Sequence, residues 1–178
     1  MMGDGSHEIV SAEIGAYLTR LWRYGLVLSG DRDAAEDLVQ ATCVRALERA
    51  HQFREGTRLD RWLFSILNSI WKNELRSQKI RTGAGFVSAE EALIADGAAE
   101  VETNIFARQV LAEVQALPEV QRETVFLVYA EGLTYKEAAE TLDVPVGTIM
   151  SRLAAARAKL GELNQEGAPG KRRTGQDR

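Results

Sequence analysis

TYKEAAETLDVPVGTIMSRLAAARAKL, residues 134–160, predicts two helices joined by a tight turn. Thr134 and Glu137 have the spacing of a capping box, in which a short acceptor and a carboxylate satisfy the free amides that open a helix. Ala138, Ala139 and Leu142 then form an inward face, and Asp143-Val144-Pro145 makes the turn into the next helix. Small Ala139 allows a close helix crossing, Val144 fills the space beneath the turn, and Ile149, Leu153, Ala156 and Leu160 anchor the second helix. This is a helix-turn-helix layout. With those positions inside, Thr148, Ser151, Arg152 and Arg157 are expected to project outward, where a major groove would be read. Arginine grips guanine edges bidentately, and hydroxyls bind phosphate. The other reading of this stretch is an ordinary helical hairpin with a solvated face.

Upstream, the chain from about Glu8 to Arg81 reads as helices. Ile14, Tyr17, Leu18, Leu21 and Trp22 are spaced for one helix face, and Ser29-Gly30-Asp31 breaks the pattern. Asp33, three residues before Glu36, signals a second helix running to about His51 with Leu38, Ala41, Val44 and Leu47 as its core. Gly56 ends that pattern. A third helix carries Leu59, Trp62, Leu63, Ile66, Leu67 and Ile70 on its core face. Its opposite face offers a polar and basic strip of Arg61, Ser65, Asn68, Ser69, Lys72, Asn73 and Arg76. Phe53, Trp62, Phe64 and Trp71 interleave with these bases, either as stacking platforms for single-stranded DNA or as core.

The chain has 178 residues, three prolines and long stretches without β-branched alternation, so an all-α protein is expected. Gly, Ala, Ser and acids dominate between Thr82 and Thr103, which places a boundary there. The division expected is a first domain over 1–82, an acidic flexible linker over 83–104, a second domain over 105–164 beginning with Ile105, Val110, Leu111, Val114 and Leu117, and a disordered basic tail over 165–178.

Net charge is −4, which by itself argues against a nucleic-acid partner. The average conceals a segregation. Residues 45 to 81 hold nine Lys/Arg against four Asp/Glu, whereas residues 88 to 104 hold five acids and no base. The lone Cys43 reads as a buried small hydrophobe, and with His7 and His51 it forms no metal-ligand pattern. No apolar run approaches the roughly 20 residues that span a bilayer, and no signal-peptide pattern opens the chain, so a cytoplasmic protein is expected. No nucleophile, base and orienting group assemble into a catalytic set, so neither enzyme chemistry, a cofactor nor a small-molecule substrate is expected.

Three segments together resemble the extracytoplasmic function (ECF) sigma factors, group 4 of the sigma-70 superfamily, over about residues 8–163. GDRDAAEDLVQATCVRALERA (30–50) is similar to the family's polymerase-binding helix, RLDRWLFSILNSIWKNELR (58–76) to its promoter-melting helix, and residues 117–160 to its upstream-element reader. The resemblance implies an all-α fold of two small domains. It implies that Asp37, Leu38, Gln40 and Arg45 dock on the clamp helices of the largest polymerase subunit, and that the second domain meets the flap region. The loop residues Phe53, Arg54, Thr57 and Arg58 would hold a base flipped from the minus-ten element, with Asn68, Ser69, Lys72, Asn73 and Arg76 lining the adjacent strand path and Arg61 a further minus-ten contact. Tyr135, Lys136, Thr148, Ser151, Arg152 and Arg157 would meet the minus-thirty-five element as duplex. The acidic linker would thread toward the RNA exit channel. An anti-sigma protein is the further partner the resemblance implies, and no covalent chemistry is required of the chain.

Ser69, Met150 and Ala155 depart from the residues many relatives carry, so a promoter sequence does not transfer. A sigma-like decoy for an anti-sigma protein is one rival, but it would not need the basic strip. A one-component repressor is another, and it would need a ligand pocket or dimer helix in the first domain.

Overall fold

The computed structural model describes residues 4–82 and 112–166, and every regular element among them is helical. The expected linker, the residues Ile105, Val110 and Leu111, and most of the expected tail lie outside the described residues.

In the first unit α1 spans Asp4–Glu13, a 3-10 turn covers Ile14–Tyr17, α2 spans Leu18–Ser29, α3 Arg32–Glu48 and α4 Leu59–Thr82. The 3-10 turn shifts the helical phase, so the face predicted from Ile14 to Trp22 does not carry through. Leu18 is 42% exposed, and the buried residues of α2 are Leu21, Tyr24, Gly25 and Leu28. Gly30 closes α2 in the left-handed region at φ 68°, its N–H donating to the Leu26 carbonyl at 2.9 Å. Asp31, rather than Asp33, caps α3, accepting from the Ala34 amide at 2.8 Å. The helix ends at Glu48, before a 3-10 turn over Ala50–Gln52.

The core face of α3 also differs from the reading above. Ala35, Leu38, Thr42 and Ala46 are buried, while Ala41, Val44 and Leu47 face outward. Close approach decides the phase: a Cβ built on Gly25 of α2 would stand 3.2 Å from the Ala35 carbonyl oxygen. Only small residues, here Gly25 and Ala35, fit at so near a crossing point. Thr42 is tolerated there because its hydroxyl donates to the Leu38 carbonyl at 2.7 Å.

In the second unit residues 112–115 are helical, α5 spans Glu119–Val125, a π-helical turn covers Phe126–Ala130, α6 spans Tyr135–Leu142 and α7 Val146–Glu166. The predicted capping box is present, with the Glu137 amide donating to Thr134 Oγ1 at 3.2 Å and the Thr134 amide to Glu137 Oε2 at 2.8 Å. Asp143 makes the turn at φ 53°, and Val144 packs beneath it. Leu127, Leu133, Ala138, Ala139, Leu142, Ile149, Leu153 and Ala156 are buried as the core of this unit.

The two units share one contiguous apolar cluster. The Phe126 ring of the second unit stacks on Tyr24 of the first, with centroids 5.6 Å apart and planes 6° apart, and Tyr24 meets Phe64 edge-on at 5.3 Å. α4 lies between α2 and α3 on one side and α6 on the other. It therefore buries Leu63, Phe64, Leu67, Asn68 and Trp71, more of its circumference than a single stripe predicts.

Candidate nucleic-acid interface

The loop after α3 is turned by Gly56 at φ 78°, and Thr57 Oγ1 donates to the Arg54 carbonyl at 2.6 Å. Arg54 and Thr57 are exposed at its tip. Phe53 is not: at 5% exposure it packs on Trp62, centroids 5.4 Å apart, and anchors the loop from inside. Beside the loop lies a cavity of about 360 Å³ lined by Phe53, Thr57, Arg58 and Asp60 and walled by Ile9, Glu13 and Tyr17. The α1 wall was not legible in the sequence, because nothing local ties residues 6–17 to residue 53. The tie is tertiary: Ser6 Oγ donates to the Phe53 carbonyl at 3.2 Å.

Asp60 organises the cavity floor. Its carboxylate accepts from Arg20 and Arg58, each at 2.8 Å, and from the Arg61 amide at 2.9 Å. Burial raises the Asp60 pKa, but these hydrogen bonds outweigh it and hold the group at about 2. Arg58 is thereby oriented at the cavity edge.

Along α4, Ser69, Asn73 and Arg76 are exposed as expected, and Arg76 Nη1 donates to Asn73 Oδ1 at 3.4 Å. The rest of the strip is occupied. Asn68, 2% exposed, donates to Tyr24 Oη at 3.0 Å, so it is an internal polar group and not a surface one. Lys72 Nζ donates to the Leu142 carbonyl at 2.8 Å, and Arg61 pairs with Glu137 and Glu140. Trp71 is 4% exposed and its Nε1 donates to Glu119 Oε1 at 2.8 Å, so this ring is core and offers no stacking face. Phe64 is likewise buried, and Trp62 is half-buried against the core.

On the helix-turn-helix, Tyr135, Lys136, Ser151 and Arg157 are exposed and Thr148 is half-buried. Arg157 Nη2 approaches Tyr135 Oη at 3.3 Å, which joins α6 and α7 on one outer face. Met150 and Val146, 56% and 41% exposed, extend that face and were missed as surface residues. Arg152 departs from its expected outward position. It turns inward onto Glu123, Nη1 to Oε1 at 3.0 Å, because α5 presents that buried carboxylate beside the middle of α7.

On α3, Asp37 and Gln40 are exposed, Arg45 is half-buried, and Leu38 is core at 2% exposure instead of a contact residue. Val44 and Leu47 stand exposed in its place. A groove of about 370 Å³ lined by Leu18, Thr19, Trp22, Glu36, Val39 and Gln40 adjoins this face between α2 and α3. Cys43 is half-buried, and burial raises its thiol pKa. Among the described residues no three His, Cys, Asp or Glu groups stand together as metal ligands, and no helix is long and apolar enough to cross a membrane.

Comparison with known proteins assigns both units. Residues 14–80 match the family Sigma-70 region 2, and residues 107–160 match Sigma-70, region 4. The chain is 34% identical over 151 residues to the ECF RNA polymerase sigma factor EcfG of Rhodopseudomonas palustris, covering 85% of this chain and 82% of that one. It is 31% identical to SigC of Mycobacterium tuberculosis, over 88% of this chain and 83% of the relative. Among solved structures it resembles the sigma factor RpoE of Bartonella quintana, crystallised with the anti-sigma factor NepR, at TM-score 0.74 and 29% identity over 88% of this chain and 97% of that one. CnrH in complex with the cytosolic domain of CnrY shares the fold at TM-score 0.62 and 18% identity, over 94% of this chain and 97% of that one.

Proposed function

The chain belongs to the ECF sigma factors of the sigma-70 family, and from that premise we propose that it binds core RNA polymerase and directs it to promoters, where it reads and opens the duplex. It makes and breaks no bond; binding energy alone does the work. The region 2 unit takes the single strand of the minus-ten element, with a flipped base in the cavity beside Arg54, Thr57 and Arg58. The phosphates of that strand follow Arg61, Ser69, Lys72, Asn73 and Arg76 along α4. The region 4 unit lays the outer face of α6 and α7 on the minus-thirty-five duplex, using Tyr135, Lys136, Thr148, Ser151 and Arg157. Arg152 supports that face from behind through Glu123.

Polymerase docks on α3 through Asp37, Gln40 and Arg45 with the exposed apolar residues Val44 and Leu47. An anti-sigma protein controls access to these surfaces, a reading supported by the partner named with the RpoE structure. The observation that carries the proposal is that one short chain offers a basic loop-and-helix edge and a separate helix-turn-helix face.

Run-off transcription with purified core polymerase on fragmented genomic DNA tests it. Adding the chain is expected to create new start sites sharing two upstream elements. Failure of core polymerase to retain the chain, or an unchanged set of transcripts, would overturn the reading.

A further inference from the structure

α1 precedes the residues that match region 2, yet it walls the cavity beside the loop. Two contacts hold it there. Ser6 Oγ donates to the Phe53 carbonyl at 3.2 Å, and Gly5 lies so near the loop that a Cβ on it would stand 2.5 Å from Glu55 Oε1. Val10 is fully buried in the core, which fixes the second half of the helix with Ile9 and Glu13 on its cavity side. The 3-10 turn that follows adds Tyr17, steadied by the Arg20 guanidinium 5.4 Å from its ring centroid.

The side-chain donors on the loop side of the cavity are already committed. Arg58 gives Nε and Nη2 to Asp60 at 3.2 and 2.8 Å and turns Nη1 toward Glu137 at 3.5 Å, and the Thr57 hydroxyl donates to the Arg54 carbonyl. The Asp60 carboxylate accepts from Arg20, Arg58 and the Arg61 amide. Glu13 differs. It is exposed at the rim and, among the described residues, has no hydrogen-bond or ion-pair partner. A ligand entering the cavity therefore meets an unpaired carboxylate and, beside it on the same wall, the hydroxyl of Tyr17.

We propose that Glu13 is a specificity-determining residue that selects guanine as the base held in this cavity. The inference rests on the reading above that the cavity takes a flipped base. A carboxylate has two acceptor oxygens and no donor, so it matches a base edge that presents two adjacent donors. Among the four bases only guanine has such an edge, its ring N1–H next to the exocyclic N2 amine. Adenine and cytosine set their amine beside an unprotonated ring nitrogen, which repels the second carboxylate oxygen. Thymine flanks its single ring N–H with carbonyls. The Tyr17 hydroxyl supplies a donor for guanine O6, and a cavity of about 360 Å³ has room for a purine.

Fluorescence anisotropy tests this on the full chain bound to core polymerase. The probes are labelled single-stranded deoxyoligonucleotides carrying the minus-ten non-template sequence of a promoter found by run-off transcription. Abasic substitution at each position measures what each base contributes. Thr57→Trp fills the cavity from the exposed loop tip, so the base it holds is the one whose abasic cost this variant cancels. That position is then filled with guanine, hypoxanthine, adenine, cytosine or thymine, hypoxanthine being guanine without the N2 amine. Wild type should bind guanine about tenfold more tightly than the other four, as one paired base edge is expected to give. Glu13→Gln sets an amide N–H against an edge of donors and should bring guanine and hypoxanthine within about twofold of each other, with abasic binding unchanged. Glu8→Gln removes the same charge from an exposed position of α1 outside the cavity and should keep the preference. Preference for any base but guanine, hypoxanthine bound as tightly as guanine, selectivity that survives Glu13→Gln, or equal loss in Glu8→Gln would each overturn the role of Glu13. If Thr57→Trp cancels the abasic cost at no position, the cavity holds no base and the underlying reading fails. A cancelled position indifferent to Glu13→Gln sinks only the selection.

Discussion

Arg152 Nη1 lies 3.0 Å from Glu123 Oε1, with only 19% and 6% of the two side chains exposed. Both residues belong to the region 4 unit, so the pair persists however the two units are arranged. Breaking it by Arg152→Ala removes a buried charge-assisted hydrogen bond and should destabilise the fold by about 1–2 kcal/mol near pH 7, and by more as pH rises above it and the carboxylate must stay charged. Urea denaturation measures this. Wild-type stability accompanied by weak duplex binding would instead return Arg152 to the groove.

Glu123 also makes a pH prediction. Burial raises its pKa to about 7 despite Arg152 and Lys72, with Glu119 adding to the rise. A carboxyl whose folded pKa exceeds its unfolded value contributes stability that is complete below about pH 4.5 and is lost as pH rises toward 7. Wild type should therefore lose stability relative to Glu123→Gln between about pH 4.5 and 7. A constant difference between their urea midpoints across that window would refute the assignment.

Asp60 predicts the opposite slope. Its folded pKa of about 2 lies below the ordinary 3.8, so its contribution is present above about pH 4 and lost as pH falls from 3.8 to 2. Asp60→Asn should remove about 1–2 kcal/mol at neutral pH, after allowance for the partly exposed arginines. The same substitution should flatten the acid limb of the stability curve. It also frees Arg58, so base-dependent binding at the loop should weaken alongside.

Gly25 tests the α2–α3 crossing. A methyl there would meet the Ala35 carbonyl oxygen at 3.2 Å and its Cα at 3.3 Å. Gly25→Ala gains helix propensity and should be close to neutral or cost about 1 kcal/mol. Gly25→Val cannot be absorbed so easily and should cost about 3 kcal/mol. A valine variant as stable as wild type in thermal melts would mean that α3 is free to move.

Thr134→Ala removes the box that starts α6 and should cost about 1 kcal/mol. Thr134→Ser should restore most of it. Thermal denaturation of the three proteins decides this, and an unchanged midpoint in the alanine variant would show the cap to be dispensable.

Trp71 illustrates why the interface was only partly legible from sequence. An aromatic between bases on an amphipathic helix reads equally as a stacking platform or as core, and only the presence of Glu119 beside its Nε1 separates the two. Asn68 is the same case: a polar residue on a polar strip, buried because Tyr24 supplies an acceptor from another helix. Leu38 was read both as core and as a docking residue, and its 2% exposure leaves only the first.

What the amino-acid order determined by itself is what short-range physics controls. The Thr134–Glu137 cap, the Asp143 turn, the inward Ala138, Leu142, Ile149 and Leu153, and the helical character of both units rest on groups a few residues apart. Tertiary structure alone decided which face of α3 is buried, where Arg152 points, and that α6 lies over α4. Those outcomes depend on partners tens of residues away: Gly25 admitting Ala35, Glu123 capturing Arg152, and carboxylates of one unit meeting bases of the other. Periodicity gives a helix its faces, but the choice between faces belongs to whatever packs closest.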